Sequence, residues 1–459
     1  MSLSALDSAH LFITLGVLLC AAYGGGRLFA ALRQPPVIGE ILAGLVLGPT
    51  VLGWIAPHAE HWLLPGAGTT ANALAALYQL GMLFLIFVTG AELRGSALPG
   101  ERRTVGGIAV VGLALPLGVG LAGAWVLDPG RFSGVDGTRT TFMLTFSMAI
   151  AVTSIPVISR IMLDLGILRT AFARVVLSVA VAEDVVLYVV LGVVLALARR
   201  SSPSFGLWSA LHEKSSGLAG LYYCAATLLF FAAFFTLARP AYAFATTPRR
   251  PSTPTGTMRP VAAEIALMLI GVVLCSLLGI DQVFGALVAG VCVGRVRHRA
   301  DAAAGPAADG PAEGEPADLP GRTAVRDVSL SFFIPIYFVI VGINLDLRHY
   351  FDFYFFLWFL PMACVVKSVS VWLGARLAGR GRRDAVDFAM AMNARGGPGI
   401  LLATVTLGAG VINERFFTSL VLLSVITSQL AGMWLGGRRA EIVAATPSEL
   451  VLATTAQPR

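Results

Sequence analysis

The segment Arg174-VVLSVAVAEDVVLYVVLGVVLALA-Arg199 places two adjacent carboxylates, Glu183 and Asp184, in the middle of an apolar run. A helix needs about 20 apolar residues to cross a bilayer, and this run is long enough. A charge at the bilayer centre costs roughly 3 kcal/mol or more, so such groups are kept where they have a function. The segment therefore indicates a membrane-spanning helix of a transporter.

The composition is that of a chain that crosses the membrane many times. Of its 459 residues, 56% are hydrophobic and 13% are charged, whereas soluble domains carry about 25% charged residues. The net charge of +7 does not indicate a nucleic-acid partner, because the basic residues are scattered over short loops, where they set topology. We expect the lipid bilayer as partner and no nucleic acid. The cysteines lack metal-site spacing, and no motif indicates a cofactor.

We predict an all-α polytopic membrane protein with about thirteen transmembrane helices. The predicted spans are 10–30, 36–54, 72–93, 104–127, 140–164, 170–198, 216–239, 261–279, 281–297, 328–345, 352–378, 386–410 and 415–436. Most arginines lie on the cytoplasmic side if the N-terminus is outside and the C-terminus is cytoplasmic. The first apolar run lacks a charged region and a cleavage site, so we expect a retained helix rather than a signal peptide.

The sequence also indicates two copies of a six-span unit. Gly39-EILAGLVL-Gly48 resembles Gly285-ALVAGVCV-Gly294, and FLIFVTGAELR (84–94) resembles YFVIVGINLDLR (337–348). The copies are offset by seven spans, and an odd offset inverts one copy relative to the other, as in many secondary transporters. We therefore predict inverted repeats of six helices with the seventh span as linker. Chance similarity of Gly- and Ala-rich helices is the alternative.

Two spans carry helix-breaking residues at equivalent positions of these repeats. The fifth contains Thr153-Ser-Ile-Pro156, and the twelfth contains Asn393-Ala-Arg-Gly-Gly-Pro-Gly399, with its proline at Pro398. Proline removes a helix hydrogen bond, and paired interrupted helices are typical of a binding site at the membrane centre. Arg395 is placed to compensate a helix end that points into the membrane. Simple proline kinks are the alternative.

Besides Arg395, three ionisable side chains are predicted near the membrane centre. Adjacent helix residues point about 100° apart, so Glu183 and Asp184 can have different partners. Lys367 lies in the middle of the eleventh span, where an ammonium needs a carboxylate partner or must lose its proton. Salt bridges without a transport role, and a lysine that extends to the surface, are the alternatives. The acids near span ends are expected to be interfacial or solvated: Glu40, Glu92, Glu264 and Asp281.

Several motifs resemble the monovalent cation/proton antiporter superfamily over roughly residues 10–436. They are Arg33-QPPVIGEILAGLVLGPTVLG, Leu80-GMLFLIFVTGAELRG, Val152-TSIPVISRIMLDLG, Ala182-EDVV, Gly279-IDQVFGALVAGVCVG and Ile334-PIYFVIVGINLDL. The sequence is most similar to the second family, which includes bacterial sodium/proton antiporters and potassium efflux systems.

The resemblance implies a six-helix core domain with two broken helices that cross at the ion site, and a dimerisation domain. It matches Asp184 to the essential cation- and proton-binding carboxylate, and Thr153 and Ser154 to the unwound segment beside it. It matches Lys367 to the lysine that pairs with the preceding acid in electrogenic members. Glu183 departs from the family pattern of Asp, Asn or Gln, which leaves the stoichiometry open.

The predicted organisation follows from the repeats and the resemblance. The segments are 1–103 (dimerisation helices of repeat 1), 104–198 (core helices of repeat 1), 199–260 (linker helix and cytoplasmic linker), 261–351 (dimerisation helices of repeat 2, with a disordered loop at 300–323), 352–436 (core helices of repeat 2) and 437–459 (short cytoplasmic tail). The loop assignment rests on its polar, Pro- and Gly-rich composition.

These observations together predict a secondary active antiporter that exchanges protons for Na⁺ or K⁺ by an elevator-type movement, with cation and proton competing for Asp184. The Arg-rich, Lys-poor composition is typical of high-GC bacteria, so we expect a bacterial cytoplasmic membrane, and the resemblance implies a homodimer. No activated nucleophile, phosphate loop or metal cluster indicates an enzyme. The alternatives are a passive cation channel and an exporter or sensor for an organic ion.

Overall fold

The computed structural model describes residues 4–32, 34–92, 101–127, 129–168, 170–198, 260–278, 282–303 and 324–444, with scattered positions between 226 and 242. Most of the predicted seventh span, of the linker at 246–260 and of the loop at 300–323, and the end of the tail lie outside these residues.

The described residues are almost entirely helical. The helices are α1 (Ala5–Ala31), α2 (Pro36–Leu47), α3 (Leu52–Ile55), α4 (Pro57–Leu63), α5 (Thr69–Glu92), α6 (Arg102–Val126), α7 (Arg139–Ala151), α8 (Ile155–Asp164), α9 (Ala171–Ala198), α10 (Pro260–Leu278), α11 (Gln282–Ala303), α12 (Ala324–Ile343), α13 (Phe353–Leu377), α14 (Arg382–Ala391), α15 (Gly396–Gly408) and α16 (Glu414–Ala444). Within the described ranges, nine segments are long and apolar enough to cross a membrane. The predicted class, an all-helical multi-pass membrane protein, is confirmed.

The chain divides into two compact units, and the first comprises residues 1–25, 40–93 and 199–345. Its helices α2 and α12 cross in close contact. A Cβ atom at Gly44 would lie 2.0 Å from the carbonyl oxygen of Val339, and one at Gly342 would lie 2.0 Å from that of Ile41. Only glycine permits such an approach of two backbones.

Helices α5 and α11 of the same unit make a second crossing of this kind. A Cβ atom at Gly90 would lie 2.5 Å from the carbonyl oxygen of Leu287, and one at Gly290 would lie 2.1 Å from that of Phe87. These two glycines, like Gly44 and Gly342, belong to the segments that are similar between the two halves of the sequence. The glycine pattern therefore fixes which helices of this unit lie against one another.

Helix α12 contains a π-helical turn over Ser329–Phe333. Pro335 follows this turn and has no N–H to offer the carbonyl of Ser331, four residues earlier. The hydroxyl of Tyr23, on α1, donates to that carbonyl. A side chain from another helix thus supplies a donor where proline removes one.

The second unit comprises residues 26–39, 94–198 and 346–459. It contains α7 and α8, which are separated by residues 152–154, and α14 and α15, which are separated by residues 392–395. Helices α6 and α13 pack at Gly107 and Gly374, where a Cβ atom at Gly374 would lie 2.6 Å from the carbonyl oxygen of Gly107. The interrupted helices are therefore enclosed within one unit, together with the carboxylates of α9.

Candidate functional site

The two helix interruptions contact each other through two hydrogen bonds. The hydroxyl of Thr153 donates to the carbonyl of Met392 at 2.7 Å. The amide of Ser154 donates to the carbonyl of Ala394 at 2.6 Å. Pro156 and Pro398 lie in the first turns of α8 and α15, where a missing N–H costs no helical hydrogen bond. The prolines therefore start the second half of each helix.

Arg395 is fully buried and holds the end of α7. Its Nε donates to the carbonyl of Ala149 at 3.1 Å, and its Nη2 donates to the carbonyls of Ile150 at 3.1 Å and Ala363 at 2.9 Å. Its Nη1 donates to Oδ1 of Asn393 at 3.4 Å. The last carbonyls of a helix have no partner within it and carry partial negative charge. The guanidinium satisfies two of them and compensates that charge.

Lys367 completes this cap and joins it to Glu183. Its Nζ donates to the carbonyl of Ala151 at 2.5 Å, to the carbonyl of Gly112 at 3.2 Å and to Oε1 of Glu183 at 2.8 Å. The lysine is fully buried, and its three hydrogens thus have three acceptors. The extra methylene of Glu183 relative to aspartate does not place it out of reach of Lys367.

Asp184 differs from Glu183 in its surroundings. Both carboxylate oxygens of Asp184 are buried and have no hydrogen-bond partner among the described residues, whereas only Oε2 of Glu183 lacks one. Glu183 borders a cavity of about 10 Å³ that is otherwise lined by apolar side chains of α6, α7 and α9. An isolated buried carboxylate is too costly to stay charged. A proton or a nearby cation would stabilise the carboxylate of Asp184 at this position.

The polar residues of the interruptions already bind protein groups. Besides the contact of Thr153, the hydroxyl of Ser154 accepts from the amide of Val157 at 3.4 Å. Asn393 donates through Nδ2 to the hydroxyl of Ser368 at 2.8 Å and to the carbonyl of Ala389 at 2.9 Å. Asn393 thus supports the break, and the hydroxyls of Thr153 and Ser154 retain lone pairs that can accept further contacts.

Two residues of this site are not identified by the sequence analysis. Gly112 supplies a carbonyl to Lys367, and a Cβ atom there would lie 3.4 Å from Oε1 of Glu183. No sequence signal reveals a backbone carbonyl used in this way. Tyr188 is buried one helical turn beyond Asp184, and its i+4 spacing from Asp184 is a signal that could have found it.

The expectation that Glu264 is solvated is wrong. In the first unit its side chain is buried, and Oε1 accepts from the hydroxyl of Tyr242 at 3.0 Å and from Nη2 of Arg297 at 2.5 Å. The facing arginine of α11 compensates the carboxylate, so it need not reach water. The side chain of Glu92 and all of Asp281 lie outside the described residues.

The chain is similar to several known cation/proton antiporters. It is 26% identical over 412 residues to the Na(+)/H(+) antiporter NhaS4 of Synechocystis, covering 88% of this chain and 90% of that protein. It is 22% identical over 427 residues to the Na(+)/H(+)-K(+) antiporter GerN of Bacillus cereus, covering 91% and 94%. It is 27% identical over 406 residues to Cation/H(+) antiporter 18 of Arabidopsis thaliana, covering 87% of this chain and 45% of that protein. The chain thus spans about half the length of its plant relatives.

The fold is similar to that of a solved transporter. The sodium proton antiporter MjNhaP1 of Methanocaldococcus jannaschii superimposes with a TM-score of 0.60 at 14% identity, over 96% of this chain and 99% of that chain. The profile of the family described as sodium/hydrogen exchanger, transmembrane, matches residues 15–437. The resemblance to the second family of monovalent cation/proton antiporters is thereby confirmed, and the chain belongs to the sodium/hydrogen exchanger family, a family of transporters rather than enzymes.

Proposed function

We propose that this protein is a secondary active antiporter that exchanges protons for Na⁺ or K⁺ across the membrane. The observation that carries the proposal is Asp184, whose carboxylate is buried beside the interrupted helices with neither oxygen partnered among the described residues. Such a group is suited to two alternative occupants, a proton and a monovalent cation. The cation is cargo here and not a resident cofactor.

Competition for one carboxylate supplies the coupling between the two ions. When the cation arrives, Asp184 must be ionised, so its proton leaves; when the cation leaves, a proton returns to this buried position. The carbonyl groups of Val152 and Thr153, with the hydroxyls of Thr153 and Ser154, offer further oxygen ligands of the kind that hard cations prefer. Family membership and relatives named as cation/proton antiporters support this assignment.

The thirteen-span topology with inverted repeats belongs to the same proposal. Besides the nine segments of the described residues, α11, the α7–α8 pair and the α14–α15 pair supply three more spans, and the predicted seventh span completes thirteen. The crossing of α2 with α12 repeats in the crossing of α5 with α11, with glycines at matching positions. Inverted repeats account for this pattern, because the segment in α2 is equivalent to that in α11 and the segment in α5 to that in α12.

We assign different roles to the two units. The second unit would move as the transport core of an elevator, because it holds the interrupted helices and the buried charges. The first unit would form the dimerisation domain of a homodimer. The predicted orientation, with the N-terminus outside in a bacterial cytoplasmic membrane, is retained in the proposal because the arginine distribution favours it.

The test is cation-induced proton release in everted vesicles, with Na⁺, K⁺ and Li⁺ supplied in turn. We expect at least one cation to dissipate an imposed pH gradient, and Asp184→Asn to abolish this while the protein still folds. The matched control is Asp327→Asn, since Asp327 is an exposed acid of α12, and it should exchange as the wild type does. Exchange near the wild-type level in Asp184→Asn would refute the assignment. Cation flux without proton movement would favour a channel, and proton movement driven only by an organic ion would favour an exporter.

A further inference from the structure

At one end of the second unit, six arginines lie close together at the ends of three helices. They are Arg102 and Arg103 at the start of α6, Arg376 near the end of α13, Arg380 in the following turn, and Arg382 and Arg383 at the start of α14. We call this group the arginine rim. Helices α6 and α13 touch at Gly107 and Gly374, and Nε of Arg380 donates to the hydroxyl of Thr104 at 3.0 Å. These contacts bring the rim together.

The positive charges of the rim are not neutralised within the described residues. None of the six arginines has an ion-pair partner there, and their recorded hydrogen bonds go to neutral groups. The nearby acids are already engaged: Glu101 binds Arg174 at 2.8 Å, and Asp387 binds Arg438 at 3.2 Å. Asp384 is an exposed exception. Like charges held this close repel one another, which favours binding of an anion.

The far end of the same unit is different. There Arg131 forms an ion pair with Asp352, the residue that precedes α13. Arg139 lies over the ring of Trp125 at 4.4 Å and donates to the carbonyl of Trp125 at 3.0 Å. Protein groups thus compensate these two arginines. A general excess of arginine on one side of the membrane would set topology, but it does not require the charges to cluster without partners.

An exposed apolar stripe runs along α13 toward the rim. Val365, Val369 and Trp372 are exposed at helical spacing, and Leu377 follows beside Arg376. A ligand that matches both features has an anionic head and a long apolar tail. Guanidinium groups bind phosphate oxygens through paired hydrogen bonds, and basic pockets at the ends of membrane helices bind lipid headgroups.

We propose that the arginine rim binds the phosphodiester headgroup of an anionic phospholipid, whose acyl chains lie along the exposed stripe of α13. The lipid neutralises the rim and joins α6, α13 and α14, the helix that leads into the second interruption. This site lies apart from Asp184, Glu183 and Lys367, so the proposal stands independently of the transported ion.

The test uses the purified full chain in a neutral detergent, with dioleoylphosphatidylglycerol as the anionic probe and dioleoylphosphatidylcholine as the zwitterionic one. Native mass spectrometry reports bound lipid, and thermal unfolding reports stabilisation. We expect phosphatidylglycerol to bind and to raise the unfolding midpoint, and phosphatidylcholine to do neither. Choline chloride should weaken the effect, because salt screens exposed charges; NaCl is avoided because Na⁺ is a proposed substrate.

Two double variants, Arg102→Gln/Arg103→Gln and Arg382→Gln/Arg383→Gln, remove different parts of the rim. Each should weaken phosphatidylglycerol binding about 30-fold, from about 1 kcal/mol for each arginine removed. The matched control is Arg348→Gln/Arg415→Gln, since both residues are exposed and lie away from the rim, and it should bind as the wild type does. Equal binding of the two lipids, or unchanged affinity in both rim variants that fold, would overturn the proposal. An equal midpoint shift with inorganic phosphate alone would also overturn it, because the site would then take the free anion.

Discussion

At the scale of residues, two buried basic side chains cap the C-terminal end of α7. Three consecutive carbonyls at the end of α7, those of Ala149, Ile150 and Ala151, accept hydrogen bonds from Arg395 and Lys367. Because a helix interrupted inside the membrane cannot use water there, these carbonyls need protein donors. Lys367 therefore has a structural contact at Ala151 in addition to its ion pair with Glu183.

The guanidinium geometry of Arg395 should not be replaceable by an ammonium. Arg395→Lys keeps the charge but loses the planar fork that reaches carbonyls on α7 and α13. We expect a loss of about 3 kcal/mol of stability, from two unmade hydrogen bonds to a charged group. Thermal unfolding of the purified protein measures this loss. The control is Arg415→Lys at an exposed position, and equal midpoints for the two variants would contradict the capping role.

The pair between Lys367 and Glu183 can be tested by a double-mutant cycle. Lys367→Ala leaves the buried carboxylate of Glu183 without its partner, and we expect a loss of about 3 kcal/mol. In Glu183→Gln/Lys367→Ala no such charge is stranded, so its loss should be smaller than the sum of the single losses by about 1 kcal/mol or more. The unfolding midpoints of the four proteins give the coupling. Strictly additive losses would show that the two side chains do not interact.

At the scale of elements, glycine contacts determine which helices cross. In α11, a Cβ atom at Gly290 would lie 2.1 Å from the carbonyl oxygen of Phe87, and backbone cannot move aside as a flexible side chain can. Gly16 of α1, in the same unit, has no atom within 4 Å of such a position. Gly290 and Gly16 form a matched pair of helical glycines, of which only Gly290 lies against the backbone of another helix.

We expect Gly290→Ala to separate α5 from α11 and to lower stability by about 2 kcal/mol or more, as overpacking does. Gly16→Ala should leave stability unchanged or raise it by up to about 1 kcal/mol, because alanine favours the helix. The thermal unfolding midpoints of both variants measure these changes in stability. A Gly290→Ala variant as stable as Gly16→Ala would show that the crossing tolerates a side chain.

At the scale of the whole molecule, we expect the buried charges to determine whether the proposed exchange moves net charge. In the second unit the carboxylates of Glu183 and Asp184 and the basic groups of Lys367 and Arg395 are almost fully buried. If the pair with Glu183 opens during the cycle and Lys367 then releases a proton, more than one proton moves for each cation. A potential of about 100 mV then contributes roughly 2.3 kcal/mol per charge.

We therefore expect exchange to depend on voltage, and Glu183→Gln to reduce that dependence while exchange continues through Asp184. The measurement is ion exchange in proteoliposomes with an imposed membrane potential. Asp327→Asn again serves as the control and should keep the voltage dependence of the wild type. If the rate of wild-type exchange does not depend on the membrane potential, the transporter is electroneutral and Glu183 has only a structural role.

The sequence by itself determined the class of protein and the position of its interruptions. Apolar runs long enough to cross the bilayer form helices there. Pro156 and the Gly-Pro run before Gly399 interrupt these helices, because proline and glycine are unfavourable within a helix. The same patterns identified the family and pointed to Asp184, Glu183 and Lys367.

Only the tertiary structure decided which residues contact one another. Backbone carbonyls carry no residue identity, so the sequence could not reveal that Lys367 binds Gly112 and Ala151 or that Ser154 meets Ala394. Nor could it show that Glu264 is compensated by Arg297 on a different helix, because the cost of burying a charge depends on the group that faces it. Hydrophobic length and helix-breaking residues act locally and can be read along the chain, whereas charge compensation and helix crossing depend on residues that are distant in sequence.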